Sequence, residues 1–372
     1  MPFASRKILG KAYHYLLKPL LFQIDPESVH NSATLMGEQL GNYAFPKQLL
    51  SKTLVVRDSC LSQSLEDISF ENPVGLSAGF DYEGRLTQIL PSLGFGFETV
   101  GTISNRPYSG NDKPRLGRLP KSQSLMVNKG FKNLGAEETS KQLAQLQFQI
   151  PIGISLGRTN DAFLNQKGSI LDIVSAFTHF EESNVTNSYY ELNISCPNLH
   201  GNVSFYSPQN LKELLIEIDK LQIKKPVFVK MPINNSDTEI HHMLKVIASH
   251  SPVGVIFGNL QKNRQDPSLN PLEVKRFTVG NFSGRPTYVR SNELISLTYK
   301  NYHKRLIVIG TGGIFSADDA YEKIRRGASL VQLITGIIFK GPQVISEINS
   351  GLIRLLKRDG FTHISEAIGT KA

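Results

Sequence analysis

The chain has little cysteine: two residues, Cys60 and Cys196, among 372. Two thiols so placed give neither a disulfide framework nor a zinc-binding spacing, and they favour a reducing compartment. The nine histidines offer no ligand spacing either, since His241 and His242 are adjacent and His200 has no acidic or histidine neighbour. No metal is expected. No apolar run is long and uninterrupted enough to span a bilayer, and no signal-peptide cleavage pattern is present. Low-complexity tracts are missing, and so is any internal repeat beyond a strand–helix alternation. The basic residues are dispersed and form no recognised nucleic-acid motif. The net charge of +9 instead suits a phosphate, an acidic metabolite or a lipid surface.

Acidic residues are also missing before Asp25, where Arg6, Lys7, Lys11 and Lys18 carry all the charge. Ile8, Leu9, Ala12, Tyr13, Leu16, Leu17, Leu20 and Leu21 fall at helical spacing, with Pro19 as a kink. Such a helix either lies on a membrane surface or packs on the main domain. Asp25-Pro26 reads as an N-cap with proline at the first helical position. Val29, Ala33, Met36 and Leu40 then mark one face, and Gly41 is placed to end the helix. Residues 1–41 are therefore expected to be an amphipathic, membrane-associating segment, 42–72 a connector and 73–372 the main domain.

Beyond residue 72 the chain takes up a strand rhythm. Apolar, β-rich runs occur near 73–78, 96–102, 151–156, 188–194, 226–231, 253–258, 305–310 and 329–334. Amphipathic stretches such as 208–222, 237–249 and 317–326 separate several of them. Eight strands alternating with helices imply an α/β fold of the (β/α)8 TIM-barrel class with a short N-terminal helical extension. Gly79, Thr102, Gly157, Asn193, Lys230, Asn259, Gly312 and Thr335 lie at or just after strand carboxyl ends, the face where barrel active sites sit. Two connections, 103–150 and 259–304, are long and rich in specific turn residues, so they are expected to cover that face.

Three stretches carry chemistry. Asn193-Ile-Ser-Cys-Pro-Asn-Leu-His-Gly201 brings two carboxamides, a hydroxyl and a thiol off one strand end. Cys196 is then a nucleophile or base, or else a packed thiol beside a capped turn. Gly310-Thr-Gly-Gly313 after strand 7 and Thr335-Gly336 after strand 8 are either a phosphate-binding pair of loops, with Ser316, Asp318 and Asp319 starting the next helix, or tight turns. Lys230 ends the apolar run Pro226-Val-Phe-Val-Lys-Met231. It either points into the barrel mouth to stabilise charge developing on a cofactor, or snorkels from the strand end.

From about Leu21 to Pro342 the chain resembles the dihydroorotate dehydrogenase family of FMN-dependent enzymes. The stretches that carry the resemblance are Leu21-Phe-Gln-Ile-Asp-Pro-Glu-Ser-Val-His30, Asn72-Pro-Val-Gly-Leu-Ser-Ala-Gly79, Gly110-Asn-Asp-Lys-Pro-Arg-Leu116, Gly130-Phe-Lys-Asn-Leu-Gly135, Asn193 to Asn198, Ser283-Gly-Arg-Pro286 and Ile338-Phe-Lys-Gly-Pro342. The N-terminal helices and the Gly110–Arg115 segment resemble the membrane-associated, quinone-reducing class. The resemblance implies FMN held by Ala78, Gly79, Thr102, Asn193, Lys230, Gly284, Gly313 and Thr335, to which the phosphate-loop reading adds Gly312 and Gly336. It implies a pyrimidine faced by Asn193, Asn198 and Asn259, with position 196 as the base that takes the C5 proton of dihydroorotate. It also implies electrons passed to a membrane quinone, at the cytoplasmic face of a bacterial-type cell membrane.

The departures from the family pattern bear on the substrate. Position 196 is Cys, as in the soluble class, where the quinone class usually has Ser. Tyr82 stands where a lysine is expected, Val127 where an asparagine is expected, and Leu260 where a hydroxyl residue is expected. Ser155 and Gly258 replace two further polar residues near the flavin, and Lys129 or Arg158 are the candidates to stand in for the lysine. They leave two rival readings: the same flavoenzyme scaffold acting on another cyclic amide or unsaturated acid, and a non-catalytic barrel bound at a membrane surface.

Overall fold

A computed structural model describes residues 2–372, with side chains from residue 6 onward. Met1, the first residue of the N-terminal segment, lies outside the described residues. Each of the eight expected runs coincides with one strand to within a few residues: β1 Val74–Leu76, β2 Phe97–Ile103, β3 Ile152–Leu156, β4 Tyr189–Asn193, β5 Val227–Met231, β6 Gly254–Phe257, β7 Ile307–Thr311 and β8 Leu330–Leu333. They pair in parallel in chain order and close into a barrel, with β8 beside β1. Seven of the eight are buried along their whole length, and β7 is buried after its first residue. That explains why they read as near-continuous apolar runs rather than as alternating ones. The helices Pro208–Lys220, Asp237–Ala248 and Ala317–Arg325 fill the amphipathic stretches between strands.

The barrel interior changes character from bottom to top. Phe97, Tyr189, Phe228, Ile256, Ile309 and Leu330 form an apolar lower layer. Against it lies an antiparallel hairpin, Gln63–Leu65 with Ile68–Phe70, which contributes Leu65, Ile68 and Phe70. Residues 42–72 therefore hold more than a connection. Above the apolar layer, Gln332 Nε2 donates to Thr99 Oγ1 (2.7 Å), which also meets the Tyr189 hydroxyl at 2.7 Å. From there to the carboxyl ends of the strands the interior is polar.

The two long connections meet over that end. Leu116–Leu119 and Ser124–Val127 form an antiparallel hairpin, and Asn281–Phe282 pairs with its second strand, Asn281 opposite Val127. Met126, Leu119, Leu269, Val274 and Phe282 make a small core beneath this three-stranded sheet. The covering role expected of both connections thus has a physical basis: the second connection adds its strand to the hairpin of the first.

The N-terminal segment contains α1 Pro2–Ala12, a π-helical turn Tyr13–Leu17 and α2 Lys18–Leu21, followed by α3 Pro26–Gly41 and α4 Ala44–Leu54. Pro19 has no N–H to donate to the carbonyl of Tyr15, and the chain takes a wider turn just before it. Asp25 caps α3 by accepting the Ser28 N–H at 2.8 Å. The helix α4 was not expected. All of this is docked on the barrel domain: Arg6 Nη1 donates to Ser350 Oγ (3.0 Å) and Tyr13 Oη to the Ile338 carbonyl (2.7 Å). Yet Ile8, Leu9, Leu16, Leu17 and Leu20, and Leu35, Met36, Phe45 and Leu49 on α3 and α4, remain exposed.

Candidate active site

A cavity opens at the carboxyl ends of the strands. Of the residues expected to hold a cofactor, Ala78, Lys230, Gly284, Gly312, Gly313, Thr335 and Gly336 line it, as does Asn259. Ser77, Ser283, Thr287, Thr311 and Leu260 line it too, and sequence reasoning did not assign the first four. Gly312 and Gly313 have φ of +95° and +72°, and a Cβ on either would strike Thr287 or Tyr288 at 2.4–2.5 Å. Only glycine fits both the conformation and the space. The N–H groups of Gly312 and Gly313 make no backbone hydrogen bond among the described residues. A pair of free N–H groups facing a cavity suits a phosphate, so these residues fit a phosphate-bearing cofactor.

Gly79, Thr102 and Asn193 stand beside the cavity rather than on its wall. Gly79 N–H donates to the Gly101 carbonyl at 2.7 Å, fixing the turn after β1 against the end of β2. Lys230 lies directly beside Asn193 in the β4–β5 register. Its ammonium is buried, does not snorkel, and meets Glu191 at 3.4 Å. Glu191 in turn accepts a hydrogen bond from Ser155 Oγ at 2.6 Å. Ser155 meets Thr102 Oγ1 at 2.8 Å, and Asn193 Nδ2 donates to Thr102 at 2.8 Å. Glu191 escaped the sequence reading, although a signal existed: period-two alternation along Tyr189-Tyr-Glu-Leu-Asn193 puts 189, 191 and 193 on one face.

The loop after β4 carries Cys196 and Asn198. Asn259 Nδ2 donates to Ser195 Oγ (2.7 Å), which ties that loop to the cavity wall. Asn198 sits in a web of amides: it donates to the Val127 carbonyl (3.0 Å), accepts from Asn281 Nδ2 (2.7 Å), and its backbone carbonyl accepts from Asn111 Nδ2 (2.9 Å). Cys196 is half-buried and free. Burial pushes its thiol up to about 11, against the Asn198 N–H and the charges of Lys230, Arg158 and Lys262, which pull the other way. In the free protein the thiol is protonated at neutral pH, above the reference of about 8.5 for a cysteine.

Neither candidate for the missing lysine is idle. Lys129 Nζ lies 5.1 Å from the centre of the Tyr82 ring and 2.9 Å from Glu27 Oε1 of α3. The buried guanidinium of Arg158 donates to the carbonyls of Thr159 (3.2 Å) and His200, clamping the loop that follows Asn198.

Comparison with known proteins agrees with this geometry. A family model described as dihydroorotate dehydrogenase matches residues 60–356. The dihydroorotate dehydrogenase (quinone) of Sulfurovum sp. (strain NBC37-1) is 36% identical over 359 residues, spanning 95% of this chain and 97% of that one. That of Crocosphaera subtropica is 37% identical over 329 residues, 86% of each. Among solved structures, ligand-free DHODH from Eimeria tenella superposes with a TM-score of 0.81 at 26% identity, over 93% of this chain and 99% of that one.

Proposed function

Because the chain belongs to the dihydroorotate dehydrogenase family, oxidoreductases acting on a CH–CH bond, we propose that it binds FMN, oxidises dihydroorotate to orotate, and passes the electrons to a membrane quinone. One observation carries the reading: the Lys230 ammonium and the free N–H groups of Gly312 and Gly313 border a single cavity. Gly312, Gly313, Thr335, Gly336 and Gly284 would hold the cofactor's phosphate end, and Ala78, Gly79, Thr102, Asn193 and Lys230 its ring. Bound FMN supplies an acceptor for the two electrons that leave with hydride from C6. Asn193, Asn198 and Asn259 orient the pyrimidine, and Cys196, once deprotonated, takes the C5 proton. The Arg158 clamp on the His200 carbonyl keeps that loop closed over the site, which helps to exclude water.

The acceptor reading rests on the N-terminal segment. Its exposed apolar side chains, extended by Phe45 and Leu49 of α4, suit a face lying in a membrane surface. No helix among the described residues is long and apolar enough to cross a bilayer. Between these helices and the cavity lies an apolar cluster of Leu125, Phe315 and Phe339 with Phe22, Val127 and Ile338 around it. It suits the passage of a quinone from the cytoplasmic face of a cell membrane. The test is dihydroorotate-dependent reduction of a ubiquinone analogue by the FMN-loaded protein on lipid vesicles. Turnover that Cys196→Ala abolishes supports the reading; no turnover with a fully loaded protein sinks it.

A second reading has specific support. Tyr82, Val127 and Leu260 replace polar groups expected at the substrate, and Leu260 lies on the cavity wall. The same scaffold would then act on a less polar cyclic amide or unsaturated acid, and such a protein would keep its FMN while ignoring dihydroorotate.

A further inference from the structure

The Lys230 ammonium lies 3.4 Å from both carboxylate oxygens of Glu191 and 3.4 Å from Ser77 Oγ. Charge-assisted N–H···O contacts are ordinarily about 2.7–2.9 Å. The ammonium is therefore held between its partners without closing on either, and it faces the cavity. Glu191 itself is fully buried, where a carboxylate keeps its charge only if donors meet it. Ser155 Oγ donates to it at 2.6 Å. With the serine proton committed there, Thr102 Oγ1 must be the donor in its 2.8 Å contact with Ser155, and Asn193 Nδ2 donates to Thr102 at 2.8 Å. Every donor in this line points at Glu191, and such chains polarise one another. A second line, Asn259 to Ser195 (2.7 Å) and Ser195 to Asn193 Oδ1 (3.4 Å), ends on the other atom of the Asn193 carboxamide. Two of the three residues expected to face the substrate, Asn193 and Asn259, and the lysine expected to face the cofactor thus converge on one carboxylate.

We propose that Glu191 is a positioning residue that, through Lys230, sets the balance between the oxidised and reduced cofactor. This rests on reading the cavity as a flavin site. A flavin that takes up two electrons and one proton gains a negative charge. An ammonium nearby favours that charge, and a carboxylate beside the ammonium opposes it, both strongly in a water-poor interior. Glu191 therefore holds back part of what Lys230 offers, and keeps the reduced cofactor ready to give up its electrons.

The test is the midpoint potential of the FMN-loaded protein, read by absorbance against a reference dye. Glu191→Gln keeps the shape and removes the charge. It should favour the reduced form at least tenfold, a rise of about 30 mV for a two-electron couple. Ser155→Ala strips a donor from the carboxylate, leaves more of its charge to Lys230, and should shift the balance the other way. It leaves the ion pair in place, so it carries the test if Glu191→Gln does not fold. In a Lys230→Met background Glu191→Gln should lose most of its effect. An unchanged potential in Glu191→Gln, or an equal shift with and without Lys230, overturns the proposal. A wild-type protein that binds no FMN overturns the flavin reading first, and is recognised before any variant is made.

Discussion

The carboxylate of Glu27 lies 2.9 Å from the ammonium of Lys129, and both side chains are buried. An N-terminal helix is thereby fastened to the loop beside Tyr82, with Arg115 as a second cation at 3.5 Å. Burial pushes the Glu27 carboxyl up, but Lys129 and Arg115 outweigh it and hold the group below its ordinary value. Glu27→Ala leaves a buried ammonium without its counter-charge and should cost about 3–5 kcal/mol. Adding Lys129→Met should return part of that. Urea unfolding of the three proteins measures it, and a loss under about 1 kcal/mol in Glu27→Ala, the range of an exposed pair, contradicts the assignment. A depressed carboxyl gives stability that is full above its unfolded pKa of about 4.3 and is lost as pH falls through the lower folded value. The helix should therefore loosen only in strong acid.

Glu98 presents the opposite sign. It is fully buried on β2, against the side chain of Asp81. Burial, and then the neighbouring Asp81 carboxylate, drive its pKa well above the usual range. A raised carboxyl pKa gives stability that is full below the unfolded value and is lost as pH rises through the folded one. Glu98→Gln cannot ionise. At pH 5 it should match wild type within about 1 kcal/mol, and at pH 9 it should exceed it by more than about 1 kcal/mol, because each pH unit between the unfolded and folded pKa costs the wild type about 1.4 kcal/mol. Thermal unfolding at the two pH values decides, and parallel curves count against a protonated Glu98.

The eight strands were legible because burial on both faces makes each one a compact, mostly apolar run. The polar strand ends were legible because barrels put their chemistry there. Asp25-Pro26 marked the start of α3 through a cap whose geometry needs nothing beyond its own turn. What was not legible depends on partners far away in sequence. The hairpin of residues 63–70 has strands of three residues, too short for periodicity, and earns its place only against Phe97 and Phe228. Glu191 looked like one polar residue in an apolar run, and its meaning came from Lys230 across the sheet. The helix α4 exposes Phe45 and Leu49, so it lacks the ordinary polar-out pattern.

A short N-terminal deletion should separate reduction of the flavin by substrate from reduction of quinone. Removing residues 1–24 takes away α1, the π-helical turn and α2 but spares the Asp25 cap and the Glu27–Lys129 pair. Quinone reduction and vesicle binding should fall at least tenfold while substrate still reduces the flavin at close to the full rate. Equal loss of both half-reactions would make these helices structural only.

Cys196 should reveal itself in a pH profile. A thiol pushed up to about 11 by burial must lose its proton to act as a base, so flavin reduction should climb with pH through the alkaline range. Cys196→Ala should slow the step by roughly 10²–10⁴-fold, the usual worth of a positioned acid–base group, with FMN still bound. Cys196→Ser should keep part of the rate and move the climb further into alkali. Stopped-flow absorbance across pH gives all three curves, and an Ala variant within a few-fold of wild type returns Cys196 to a packed thiol.

The most direct measurement is an anaerobic titration of the purified protein with dihydroorotate. The protein should be yellow with one FMN per chain, and one equivalent of dihydroorotate should bleach the flavin band and release one equivalent of orotate. A yellow protein whose spectrum dihydroorotate leaves unchanged would contradict the assigned substrate and favour the less polar ligand that Tyr82, Val127 and Leu260 point to. A colourless protein that takes up no FMN would contradict the account at its root.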